Sequence, residues 1–124
     1  MRKSRINGFV QQALITEKYF GDATAILSVE GRLNAMTADD LKKRIKQLVA
    51  KQYIHLILDL TEVSFIDSSG LSALVVGLKA THEKDGSIKL VGLNKKTKYV
   101  FELTRLIRVF TFYEDVDSAL SAKY

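Results

Sequence analysis

Residues Ile54 to Leu60 read Ile-His-Leu-Ile-Leu-Asp-Leu, a nearly continuous apolar run too short for a typical helix. Such a run suits a central strand covered on both faces. The flanking sequence supplies elements to cover it. Upstream, Leu14, Ile15, Tyr19 and Phe20 mark a first strand within Val10 to Phe20. Gly21-Asp22 is a turn signal, and Ala23 to Val29 resumes an apolar run that Gly31 closes, so a hairpin is expected. Thr37 with Asp40 three residues later resembles a capping box. It would open a helix in which Ala38, Leu41, Ile45, Leu48 and Val49 keep helical spacing, ending near Lys51.

Downstream, Val63 to Ile66 leads into Asp67-Ser68-Ser69-Gly70, after which Leu71, Leu74, Val75 and Leu78 fall at i, i+3, i+4 and i+7 of a second helix. Lys84-Asp85-Gly86 turns the chain into a strand from Ile88 to Val91. Val100, Leu103 and Ile107 mark a third helix before a short strand from Val109 to Phe112, and Asp115 to Ala122 forms a last helix. The order β-β-α-β-α-β-α-β-α predicts an α/β fold: a mixed, mostly parallel sheet with an antiparallel first strand, right-handed crossovers and about four helices. Residues 1–9 read as a basic N-terminal arm and 10–124 as one domain, a size that allows one hydrophobic core.

Composition narrows the chemistry. The chain has no cysteine, so disulfides, thiolate zinc sites and cysteine nucleophiles are excluded, and two lone histidines leave little for a metal site. His55, inside the apolar run, reads as a packed or edge-facing residue. Removing Arg2, Lys3 and Arg5 from the formal charge of +5 leaves +2. The basic residues Lys42, Lys43, Arg44 and Lys46 lack interleaved aromatics, so no direct nucleic-acid partner is expected. No apolar run approaches the ~18 residues of a membrane span, and the opening Met-Arg-Lys-Ser-Arg-Ile-Asn-Gly lacks a signal peptide's apolar stretch. Neither membrane insertion nor export is expected, and the location expected is cytoplasmic. A P-loop and a Gly-x-Gly-x-x-Gly sequence are both missing, so no cofactor is assigned. An enzyme that used Ser68 as nucleophile would need an elbow motif, or a nearby base that the sequence does not offer.

The stretch from Asp59 to Leu71 places polar residues between an apolar segment and a helix start, where α/β sheets form sites. Ser68 is either the N-cap or a first-turn residue, near outward-facing amides that favour negative charge. Alternatively, Asp67 or Ser68 does no more than satisfy those amides, contributing ~1 kcal/mol. With regular geometry, Ser68, Ser72, Val76 and Lys79 share the accessible side of the helix.

Glu30-Gly31-Arg32-Leu33-Asn34, the Leu-Ile-Leu-Asp-Leu strand, Phe-Ile-Asp-Ser-Ser-Gly-Leu and Val-Phe-Glu-Leu-Thr-Arg-Leu occur in this order between Leu14 and Leu120. Together they resemble the STAS domain family, in particular bacterial anti-sigma factor antagonists. The resemblance implies a single STAS-like domain in which Ser68 is phosphorylated by a partner kinase that is also the anti-sigma factor, and dephosphorylated by a PP2C-type phosphatase. The unphosphorylated form would bind that partner and free a sigma factor. Asp67, Ser69, Gly70, Asn34 and Asp59 would neighbour the phosphosite, and Ser72, Val76 and Lys79 would contact the partner. The sequence departs from the family pattern in three places. Asn34 stands where many relatives carry an acid, Arg105 stands where glycine often ends the helix, and Asn94-Lys95-Lys96 replaces a proline before the third helix. The second role the resemblance allows is a scaffold in a stress-sensing complex or a soluble subunit of a membrane transporter.

Overall fold

A computed structural model describes residues 13–122 of the chain. The expected basic arm, residues 1–9, lies outside them. Five strands, β1 (Ala13–Phe20), β2 (Thr24–Leu33), β3 (His55–Ile66), β4 (Ser87–Val91) and β5 (Thr111–Tyr113), form one sheet in the order β1-β2-β3-β4-β5. β1 is antiparallel to β2 and the remaining pairs are parallel. Helices α1 (Ala35–Ala50), α2 (Ser68–His82) and α3 (Lys95–Leu103) follow β2, β3 and β4, and α4 (Val116–Ser121) follows β5. The mixed sheet with an antiparallel first strand and four helices is the expected architecture.

The core lies in two layers. Leu56, Leu58 and Leu60 of β3 join Leu41 and Ile45 of α1, Leu74 of α2 and Phe101 of α3 in the larger cluster. Ile57, pointing the other way, packs with Ile26, Val91 and Ala119 of α4. Strand alternation over a sheet covered on both faces explains why the run is apolar at successive positions. Phe101 is closed in by edge-on contacts with Phe110 and Phe112, ring centroids 5.9 and 5.4 Å away.

Four expectations shift. β2 does not close at Gly31 but runs on to Leu33, with Gly31 at φ 101 within it. The segments Ile54–Leu60 and Val63–Ile66 are one strand, because an extra residue on β3 between Asp59 and Glu62 is absorbed as a register shift against β2. The cap of α1 is Asn34, not Thr37: Thr37 sits at the third helical position, and Asp40 pairs instead with Arg44 at 3.4 Å. The third helix stops at Leu103, since Arg105 takes a left-handed φ of 65, and Ile107 lies in a separate 3-10 turn, Leu106–Arg108.

Candidate functional site

β2 and β3 end side by side. Leu33 pairs with Ile66, and the Asp67 amide donates to the Leu33 carbonyl at 3.3 Å. Each strand end then feeds a helix through a side-chain cap. Asn34 Oδ1 accepts from the amides of Met36 at 3.2 Å and Thr37 at 3.5 Å. Thr37 Oγ1 returns the bond, accepting from the Asn34 amide at 2.9 Å and donating to the Arg32 carbonyl at 2.8 Å. Asp67 caps α2 with one bond, from the Gly70 amide to Oδ1 at 3.1 Å. Thus Asp67 is the cap and Ser68 the first helical residue.

Gly70 is required by proximity. A β-carbon there would lie 2.6 Å from the Leu33 carbonyl oxygen and 2.8 Å from Ile66 Cγ1. Its absence lets the first turn of α2 settle against the end of β2, and this close approach turns Ser68 outward. Ser68 is exposed, and its hydroxyl makes no hydrogen bond within the described residues. The same holds for the hydroxyls of Ser69 and Ser72.

These three serines form one wall of a groove of about 410 Å³, whose other wall is the α1 stripe Ala35, Ala38, Asp39 and Lys42. Ser72 and Lys79 are exposed and Val76 is half-buried along the accessible stripe of α2. Ser72 lines the groove, while Val76 and Lys79 extend the surface beyond it. Met36, 75% exposed in the first turn of α1, stands next to the Asn34 cap. On the sheet side, the Arg32 guanidinium lies over the Phe65 ring, 4.4 Å from its centroid.

The structure does not bring every expected residue to the groove. Asp59, expected beside the phosphosite, shares the alternate phase of β3 with Ile57, away from α2. Its carboxylate accepts from the Thr61 amide at 3.1 Å and from the Thr61 hydroxyl. Thr61 lines a different hollow, with Lys98 and Tyr113. Asn34 lies at the neighbouring strand end, but its side chain is committed to capping α1.

Neither histidine lines the groove. His55 shares a 2.9 Å contact between its Nδ1 and Ser87 Oγ, and burial, reinforced by Lys89, lowers its pKa. Lys89 is 3% exposed and its pKa is lowered by burial. Its Nζ donates to the carbonyls of Ala119 at 2.7 Å and Ala122 at 3.0 Å, the C-terminal turn of α4. The groove therefore offers exposed hydroxyls and helix-start amides, the equipment of a site that is modified or docked upon. Among the described residues no cluster of His, Asp and Glu is placed to hold a metal, and no helix is long and apolar enough to cross a membrane.

The α1 wall is a feature that no motif in the sequence marks. Ala35, Ala38, Asp39 and Lys42 fall at i, i+3, i+4 and i+7, a stripe detectable by spacing alone. Its function depends on α2 starting beside it, which spacing does not show.

Comparison with known proteins agrees with this fold. The anti-sigma-B factor antagonist of Listeria monocytogenes is 36% identical over 78 residues, 63% of this chain and 68% of that protein. The crystal structure of an anti-sigma factor antagonist from Mycobacterium paratuberculosis superposes with a TM-score of 0.75 at 28% identity, covering 88% of this chain and 92% of that one. The Bacillus cell fate determinant SpoIIAA, solved in its phosphorylated form, has the same fold, with a TM-score of 0.71 at 16% identity over 86% of this chain and 96% of that one. The STAS domain family profile matches residues 16–119, from within β1 to within α4, and the chain belongs to that family.

Proposed function

We propose that this protein is an anti-sigma factor antagonist whose partner binding is switched by phosphorylation at Ser68. The unphosphorylated form docks an anti-sigma factor with serine kinase activity and thereby frees a sigma factor. The kinase transfers the γ-phosphoryl group of ATP to Ser68 Oγ, the hydroxyl proton leaves, and ADP is released. A PP2C-type phosphatase restores the hydroxyl by hydrolysis. The observation that carries this reading is the exposed Ser68 hydroxyl, unbonded within the described residues and lining the α1–α2 groove, in a chain whose relatives include proteins named anti-sigma-B factor antagonist.

The physical switch is local. A phosphoryl group brings about −1.5 to −2 charges at neutral pH, next to Asp67 and on the surface that docks the partner. Binding weakens through like charge and through occupation of the groove. The fold persists, because the amides at the start of α2 favour an anion there and Ser68 packs against nothing that must move.

The test is site-mapped phosphopeptide mass spectrometry after incubating the protein with ATP and lysate of its native host, with Ser68→Ala in parallel. Label on Ser68 that is absent from Ser68→Ala is expected, and label that survives in Ser68→Ala but vanishes from Ser69→Ala would move the site by one residue. Ser68→Asp is expected to lose capture of the host's anti-sigma factor in size-exclusion chromatography, with melting and far-UV circular dichroism unchanged. Undiminished capture would overturn the switch at Ser68, and a standing complex with membrane proteins, unaffected by Ser68→Asp, would point to the transporter-subunit role. A collapsed fold would remove the local-switch argument.

A further inference from the structure

We propose that Lys42 is the counter-charge that seats a phosphoryl group carried by Ser68, drawing it into the groove between α1 and α2, so that the modified chain fills its own docking groove. The inference rests on Ser68 being the modified residue. The first observation is that Lys42 and Ser68 line the same cleft from opposite walls. The side chains between them, Ala35, Ala38, Ser69 and Ser72, are small. The cleft they leave, about 410 Å³, is several times the size of a phosphoryl group.

The second observation is the state of Lys42 itself. It is half-buried, whereas Lys43 and Lys46 on the same helix are exposed. Within the described residues it makes no ion pair. Arg44, two residues on, is engaged twice, with Glu17 at 3.3 Å and Asp40 at 3.4 Å. Arg32, at the end of β2, is stacked on Phe65. Lys42 is therefore a cation held in the cleft with its three donors uncommitted. A flexible four-carbon stem bearing a compact ammonium suits a tetrahedral anion that can approach from more than one direction.

The charges facing the phosphoryl group come from three elements. Asp67 in the β3–α2 turn and Asp39 on α1 repel it. Lys42 on α1 and the first-turn amides of Ser68 and Ser69, which meet no acceptor within the described residues, attract it. Without Lys42 two carboxylates would face the phosphate with no opposing side chain in the cleft, and the group would be driven out into solvent. With Lys42 the group lies between the helices, where it blocks the groove sterically as well as by charge.

The test uses protein carrying phosphoserine installed at position 68 by expanded-code expression, so that no kinase is needed, and follows the phosphorus-31 resonance through a pH titration. An adjacent ammonium favours the dianion and holds down the phosphate's second pKa, ordinarily about 6. Lys42→Met is expected to raise that value by about 0.5 unit, a threefold change in proton affinity. Lys42→Arg should keep the wild-type value, and Asp39→Asn should lower it. Lys42→Gln is the second neutral variant should Lys42→Met fold poorly, and unmodified Lys42→Met should melt like the parent. A neutral variant that titrates like wild type overturns the proposal. If Lys42 controls the titration but host lysate leaves Ser68 unlabelled, the switch reading fails and the electrostatic one stands.

Discussion

Two neighbouring strand ends in this molecule solve the same problem differently. β2 and β3 finish side by side, and each must start a helix whose first amides have no intrahelical partner. At the β2 end, Asn34 and Thr37 form a reciprocal box: the amides of Met36 and Thr37 and the cap's own amide are all satisfied, and Thr37 is buried. At the β3 end, Asp67 satisfies only the Gly70 amide, and the third helical position, which holds threonine in α1, is a glycine pressed against Leu33. The first turn is committed to structure. The second leaves two amides and the hydroxyls of Ser68 and Ser69 without a bond among the described residues, and the proposed role of this turn rests on that difference.

The largest expected effect comes from making the two turns alike at the third helical position. In Gly70→Ala the new methyl group meets the Leu33 carbonyl oxygen, part of a strand end that cannot rotate away. We expect a loss of about 2–3 kcal/mol in urea unfolding. Gly77→Ala is the control. There the nearest atoms, at 3.0 and 3.1 Å, are the terminal carbons of Ile88 and Ile45, which can shift, so the loss should be well below that of Gly70→Ala. Equal losses would mean that the close approach at Gly70 does not set the geometry of the turn.

The next effect separates the caps themselves. Asn34→Ala removes both side-chain bonds to α1, leaving the Thr37 hydroxyl its bonds to the Asn34 amide and the Arg32 carbonyl, at an expected cost of about 1–2 kcal/mol. Asp67→Ala removes one bond and should cost about 1 kcal/mol. A larger loss for Asp67 would reverse the assignment of the first turn to structure and the second to chemistry.

The elements that were legible in the sequence are those whose signals are local. The apolar run in β3 and the stripe Leu71, Leu74, Val75 and Leu78 of α2 can be read from residue spacing; Leu56, Leu58, Leu71 and Leu74 are buried, and Val75 and Leu78 pack half-buried against the same core. The cap of α1 is ambiguous in the sequence because Thr37 with Asp40 and Asn34 with Thr37 both fit a box spacing, and the reciprocal bonds between Asn34 and Thr37 decide between them. The break at Arg105 was hidden because the apolar spacing continues through Ile107, and it takes a left-handed residue to interrupt it. In the candidate site, the position of Ser68 in the first turn of α2 is legible from the polar residues between an apolar segment and a helix start, whereas closeness in sequence misleads for Asp59. Strand alternation faces it away from α2. Lys42, far in sequence, enters the groove only because α1 and α2 start together.

The smallest expected effect distinguishes caps that titrate from caps that do not, and it falls on α4. Asp115 caps that helix by accepting from the Ser118 amide at 2.8 Å, and this bond holds its carboxyl below the ordinary aspartate value of 3.8. The folded chain therefore releases this proton more readily than the unfolded one. The stabilisation is fully present above pH 3.8 and is lost as the pH falls through the lower, folded value. In unfolding series carried down through that range, wild type should lose stability more steeply than Asp115→Asn, whose amide caps without titrating. Hydrogen exchange gives the local counterpart. Protection of the Ser118 amide should fall with pH ahead of that at Met36 and Thr37, whose acceptor is the neutral Asn34. Parallel stability curves for Asp115→Asn and wild type, or simultaneous loss of protection at both helices, would show that acid acts on the fold as a whole and not through the caps.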